Sequence, residues 1–167
     1  MGFEHSKLEG SPHHFLAKIA GGWAGRTRTW LEPDGIPSES QTRGSIQLVL
    51  DGRFAIYIYQ SSLDGEPVHG MFTFGYNTNL DRYESSWVDS YHNNTAIMYC
   101  TGDPKEKGFW VRGSYPDPAG GPDWGWRTEV LLLDREHLTI TAYNISPEGQ
   151  EAKAVEMELA RLQSHEK

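Results

Sequence analysis

Three residue types in YESSWVDSYHNN, Tyr83 to Asn94, can do chemistry together. Side chains of a strand alternate between its faces, so Tyr83, Ser85, Trp87 and Asp89 share one face. A carboxylate beside two aromatics suits neither a plain core nor a plain solvent face. It suits the wall of a pocket. An inward Asp89 must be paired or hydrogen-bonded, because a buried lone charge is costly. His69, in EPVHGMF on the preceding strand, is a candidate partner, as are Arg127 and Arg112. A His–Asp pair in an apolar setting is a general-base arrangement, with Tyr83 available as a donor. Structural alternatives stand beside these roles. Asp89 and Ser90 can cap the strand end and bind backbone amides of the DSYHNN turn, and His69 can be a satisfied strand residue.

Other residues extend the set. PDWGWRTEV places Trp124 and Trp126 on one face with Arg127 opposite. Beside the Gly- and Pro-rich loop YPDPAGGPD, the two tryptophans can rim a barrel mouth, with the loop as a lid. A surface aromatic cluster covering that loop is the alternative. Tyr57 and Tyr59 alternate with Ile56 and Ile58, so that strand is apolar on both faces. Burial on both faces, and with it a homodimer, is one expectation; tyrosines lining a cavity is the other. Cys100, with Ala96 and Met98 on its face in AIMYCTG, reads as core. No metal site is expected: His13 and His14 diverge on a helix, and no H-x-H, H-E-x-x-H or C-x-x-C occurs. Haem would need a strand histidine. His137 follows an exposed turn and His165 lies in the tail, so no cofactor is expected. Nucleophile-elbow, phosphate-loop and dinucleotide patterns are missing.

Composition narrows the classes. The chain has 167 residues, enough for one domain with a real core. Net charge is −8, without a basic run, which argues against nucleic-acid binding. No apolar run approaches the length of a membrane span, so no membrane role is expected. A single cysteine and no secretory signal pattern fit a reducing compartment, hence a cytoplasmic location. Aromatics at 12% and 18 glycines favour an all-β protein, since aromatics suit strands and glycine suits turns and bulges.

The elements that must position these residues are set by periodicity. Residues 1–10 read as a disordered lead, 11–163 as one β-barrel domain and 164–167 as a tail. SPHHFLAKIAGG predicts one short helix, with Ser11 at the N-cap, Pro12 in the first turn and Gly21 closing the end. Phe15, Leu16 and Ile19 share its face. The period then becomes two. Strands are expected at 22–30, 41–51, 52–60, 67–76, 82–91, 94–101, 107–115, 124–134, 137–145 and 151–162, separated by turn chemistry such as LDGEP, NTNLD and SPEG. EAKAVEMELARL favours helix by propensity, but Val155, Met157 and Leu159 alternate with glutamates, so it is read as a strand. About ten short strands predict an up-and-down antiparallel barrel, wide enough to leave a cavity.

AGGWAG carries Gly21 and Trp23 as G-x-W directly after the helix, which resembles the opening signature of lipocalins and other calycins. That resemblance implies a tryptophan at the closed end of the barrel beneath an arginine from the last strand. Arg161 has the parity for it, and a guanidinium over an indole gains roughly 0.5–2 kcal/mol. The series GGWAG, DGRFAIYIY, HGMFTFGYN and YESSWVDS, with Arg161 near the end, further resembles a bacterial calycin-like barrel family known as domain of unknown function 1579. The likeness runs from Pro12 to Arg161. Two departures fall at turns: Asp51 stands for the first glycine of G-G-R-F, and Asn77 for the aspartate of G-Y-D. The resemblance implies a fold and no reaction.

The leading expectation is a barrel that binds a small, partly apolar ligand. Trp87, Tyr83 and Trp126 would form its walls, and Asp89, His69 or Arg127 would fix its polar end. One alternative is a metal-free isomerase, cyclase or lyase using His69 or Asp89 as base and Tyr83 as donor. The other is a structural or oligomerisation module, motivated by the Tyr57/Tyr59 strand.

Overall fold

The computed structural model describes residues 1–163. Period-two patterning dictates antiparallel strands, most of them joined to the next by a tight turn. They are β1 (Gly21–Thr29), β2 (Ser38–Val49), β3 (Phe54–Leu63), β4 (Glu66–Asn77), β5 (Arg82–Asp89), β6 (Met98–Gly102), the two-residue β7 (Pro104–Lys105), β8 (Gly108–Tyr115), β9 (Trp124–Asp134), β10 (His137–Ile145) and β11 (Glu151–Arg161). Sequential neighbours pair from β1 to β6 and from β8 to β11. β1 pairs β11, and β6 meets β8 at Thr101–Arg112, which closes the cylinder. The result is an all-β, ten-strand antiparallel closed barrel, with β7 a short arm on β8.

Most turns sit where their chemistry predicts. Asp51, Asp64 and Asp81 adopt left-handed backbone (φ 58°, 50° and 47°), which short polar side chains tolerate. Asp51 thus occupies a glycine-type conformation. Asn77 Oδ1 accepts the amides of Asn79 and Leu80, as an aspartate would, while its Nδ2 donates to Glu84.

Three expectations change. The lead expected to be disordered holds a helical turn, α1 (Phe3–Ser6). Buried Ser6 bonds the ring of buried His13 at 2.7 Å, on α2 (Pro12–Lys18), so there are two short N-terminal helices rather than one. The expected strand 94–101 begins only at Met98, because residues 90–97 form a loop with Asn94 at φ 52°. The third concerns β3, expected to be buried on both faces. Tyr57 and Tyr59 are buried inside the barrel, but Ile58 on the outer face is 57% exposed. The tyrosines therefore belong to the barrel interior, and the outer face of β3 carries the exposed Ile58. The proposed tail at 164–167 lies outside the described residues.

Packing separates the barrel into a closed end and a mouth. At the closed end, Leu16 and Ile19, on and just after α2, are fully buried against the core. Trp23 Nε1 donates to Ile19 O at 2.9 Å, and Arg161, its cross-strand partner, lies over the indole at 4.4 Å. The guanidinium also donates to the carbonyls of Lys18, Ala20 and Arg135 at 2.7–2.8 Å, tying the helix end to the last strand. Gly21 makes room for this. At φ 135° it is the one residue type that fits, and a Cβ there would stand 2.8 Å from Arg161 Nη1.

Candidate functional site

Register builds the middle of the barrel. Tyr57, Phe72 and Trp87 are directly paired across β3, β4 and β5, so their rings meet in one row. Phe72 stacks on Tyr57 at 6.3 Å and on Trp87 at 5.5 Å, and Trp87 stacks on Trp126 from β9 across the barrel at 5.3 Å. This row fills the interior that was expected to be hollow. Burial drives the phenols of Tyr57 and Tyr59 well above the ordinary tyrosine range.

Open space begins above the row, at the mouth. A cavity of about 540 Å³ is lined by Trp30, Trp87, His92, Met98, Tyr115 and Trp126, among others. Three loops contribute to it: 30–37 through Trp30 and Leu31, 90–97 through Tyr91, His92 and Ile97, and 116–123 through Pro116 and Pro118. The Gly- and Pro-rich loop thus does roof the mouth. Beneath His92 the remaining cavity is only about 20 Å³, walled by Thr27, Tyr59, Ser61 and Asp89. Hydroxyls line this side: Thr27 bonds Thr42, which donates to Ser61 at 2.9 Å.

Asp89 ends β5 at this level, its side chain 1% exposed. Its Oδ2 takes His92 Nδ1 at 2.6 Å, and its Oδ1 takes the Asn93 amide at 2.8 Å. Asn93 Nδ2 donates to Trp87 O at 2.9 Å, so the loop folds back on the strand that carries the tryptophan. The capping alternative for Asp89 therefore holds, and the cap also fixes an imidazole in the cavity wall. Tyr59 reaches the same place. Its hydroxyl accepts from Trp87 Nε1 at 3.0 Å and lies near the Asp89 charge, which reinforces the upward shift of the phenol. Gly70, opposite Asp89, permits this, because a Cβ there would sit 2.1 Å from Tyr59 Oη.

The sequence candidates part company here. Trp87, Asp89 and Trp126 come together. His69 does not: its side chain is exposed on the outer face, and only its backbone meets Ser90. A His69–Asp89 pair is thus ruled out by strand parity. Tyr83 is buried but at the closed end, stacked on Phe109 at 4.1 Å. Six residues from Asp89 along an extended strand is roughly 20 Å, too far to share a substrate. Arg127 points outward, bonded to Glu129 and Glu151 and lying over Tyr143 at 4.3 Å. The bond to Glu151, first among these, holds its guanidinium above the usual arginine range. Cys100 is core, its thiol pushed up to about 12 by burial. The residue that sequence reasoning missed is His92. Its signal was the D-x-x-H spacing within a turn, which lets a capping carboxylate reach a side chain three residues on.

A family model described as "Protein of unknown function (DUF1579)" matches residues 9–161. Among solved structures, the S-type phycobiliprotein lyase CPES from Guillardia theta aligns with a TM-score of 0.63 at 13% identity, over 99% of this chain and 100% of that one. Rv2717c from M. tuberculosis aligns with a TM-score of 0.58 at 16% identity, over 92% and 99%. At such identities the likeness is one of fold. No curated protein matches significantly.

Proposed function

The chain belongs to the DUF1579 family of proteins of unknown function, and on that footing we propose that it is a calycin-like barrel that binds a small, partly apolar ligand at its mouth. The observation that carries this is the stacked Trp87–Trp126 pair at the base of a cavity of about 540 Å³, with His92 in the wall. That volume lies in the usual range for small-molecule sites, and the chemistry is the usual one: apolar walls with few polar groups. His92 takes the role that the sequence assigned to His69 or Arg127. Asp89 acts through it as a positioning residue.

Tryptophan emission tests the reading, because three of the indoles, Trp30, Trp87 and Trp126, line the cavity. A small-molecule extract of the host should quench or shift the emission of the native protein. Ala154→Phe, which fills the cavity from β11, should abolish the response while the protein stays folded. An equal response from both proteins would place binding elsewhere. A second reading, an isomerase, cyclase or lyase acting in the same cavity, is favoured by the Asp89–His92 pair, an oriented imidazole of the kind used in general-base catalysis. It requires that a bound molecule be released chemically changed.

A further inference from the structure

The two tryptophans at the base of the cavity differ in one respect. Trp87 Nε1–H donates to Tyr59, whereas Trp126 Nε1–H is buried with no hydrogen-bond partner among the described residues. Trp126 as a whole is 6% exposed. A buried donor left without a partner is costly and uncommon, and it asks for an explanation. Beside it stands His92, the ring centroids 5.8 Å apart. Asp89 Oδ2 accepts the Nδ1–H of His92. With Nδ1 as the donor, the neutral form of the ring carries its lone pair on Nε2, where no protein group bonds it among the described residues. Trp126, with its free donor, and His92, with its free acceptor, thus both line the cavity with their rings 5.8 Å apart.

We propose that the ligand is a flat apolar molecule whose polar end is neutral and both gives and accepts a hydrogen bond: a hydroxyl or a secondary amide. This rests on the cavity being a binding site. The ligand oxygen accepts from Trp126 Nε1–H, and the ligand O–H or N–H donates to His92 Nε2. A carboxylate meets the imidazole lone pair with no proton to offer. An ether satisfies Trp126 and leaves Nε2 without a donor. An ammonium satisfies Nε2 and leaves Trp126 orphaned.

Three probes on one frame separate the hydroxyl, ether and carboxylate cases: 2-naphthol, 2-methoxynaphthalene and naphthalene-2-carboxylate. Each is titrated into the full-length protein and followed by calorimetry and by the indole N–H resonances in nitrogen-15 spectra. Trp126→Phe identifies its resonance by loss of the signal. The expected result is that 2-naphthol binds at least about tenfold more tightly than either other probe. The Trp126 indole signal should move downfield, and in Trp126→Phe both 2-naphthol and 2-methoxynaphthalene should bind more weakly while the advantage of 2-naphthol, which comes from His92, persists. If 2-naphthol and 2-methoxynaphthalene bind equally while mouth resonances shift, the cavity binds but the paired polar recognition is wrong. If no probe shifts any mouth resonance, the binding-site reading fails and this inference falls with it.

Discussion

At the scale of single residues, a side chain's partners decide its role more than its type does. Asp89 looked like one half of a catalytic pair. It is the cap of a strand end, and through that cap it positions an imidazole. Asp89→Ala should cost about 2–4 kcal/mol in urea unfolding, since it orphans a buried amide and frees His92. A loss under about 0.5 kcal/mol, the level of an ordinary surface change, would contradict the assignment. His13 gives a pH prediction. Burial holds its imidazole below the ordinary histidine value, with the nearby Arg53 and Lys7 charges acting the same way. The unfolded chain therefore takes up the proton first as pH falls below about 6.5. Stability present above that value is lost as pH falls toward the folded-state value. Between about pH 7 and pH 5 the melting temperature should drop further in the native protein than in His13→Gln. Parallel curves for the two would show that His13 does not contribute.

At the scale of elements, strand parity was legible and strand ends were not. The ranges 124–134 and 137–145 coincide with β9 and β10, because alternation there is bounded by strong turns. The last segment is a strand despite helical propensity, because pairing with β1 and β10 buries Val155, Met157 and Leu159. Parity put Trp126 and Arg127 on opposite faces of β9 without saying which was inward; packing buries Trp126 against Trp87 and leaves Arg127 outside. Parity could have put His69 outside: Gly70 pairs Asp89, so the residue before it faces away. The loop 90–97 was read partly as strand because its turn depends on a tertiary bond, Asn93 to Trp87 O, that local sequence does not announce. The closed end yields a prediction at this scale. Gly21→Ala forces an L-residue to φ 135° and pushes the Arg161 guanidinium off its carbonyls. It should cost about 2–4 kcal/mol, or a melting temperature lower by several degrees. An unchanged melting temperature would mean that the arginine plug is not a stabilising contact.

At the scale of the whole molecule, the barrel was legible and its filling was not. Ten alternating segments, a G-x-W after a helix and a late arginine specify a closed cylinder. The expectation of a hollow centre came from strand number alone. It overlooked that Tyr57, Phe72 and Trp87 are in register and stack into a row that fills the middle. What space remains is displaced to the mouth, where three loops enclose it over two tryptophans, one with its N–H satisfied and one without. The exposed outer face, including Ile58 and Met71, takes no part in this cavity. Native mass spectrometry of the protein isolated from its own host addresses the central claim most directly, since it weighs the protein together with whatever the mouth retains. The expected spectrum carries a discrete added mass of a few hundred daltons, the scale of a small ligand, lost in Ala154→Phe; a bare chain mass for both proteins would contradict the account.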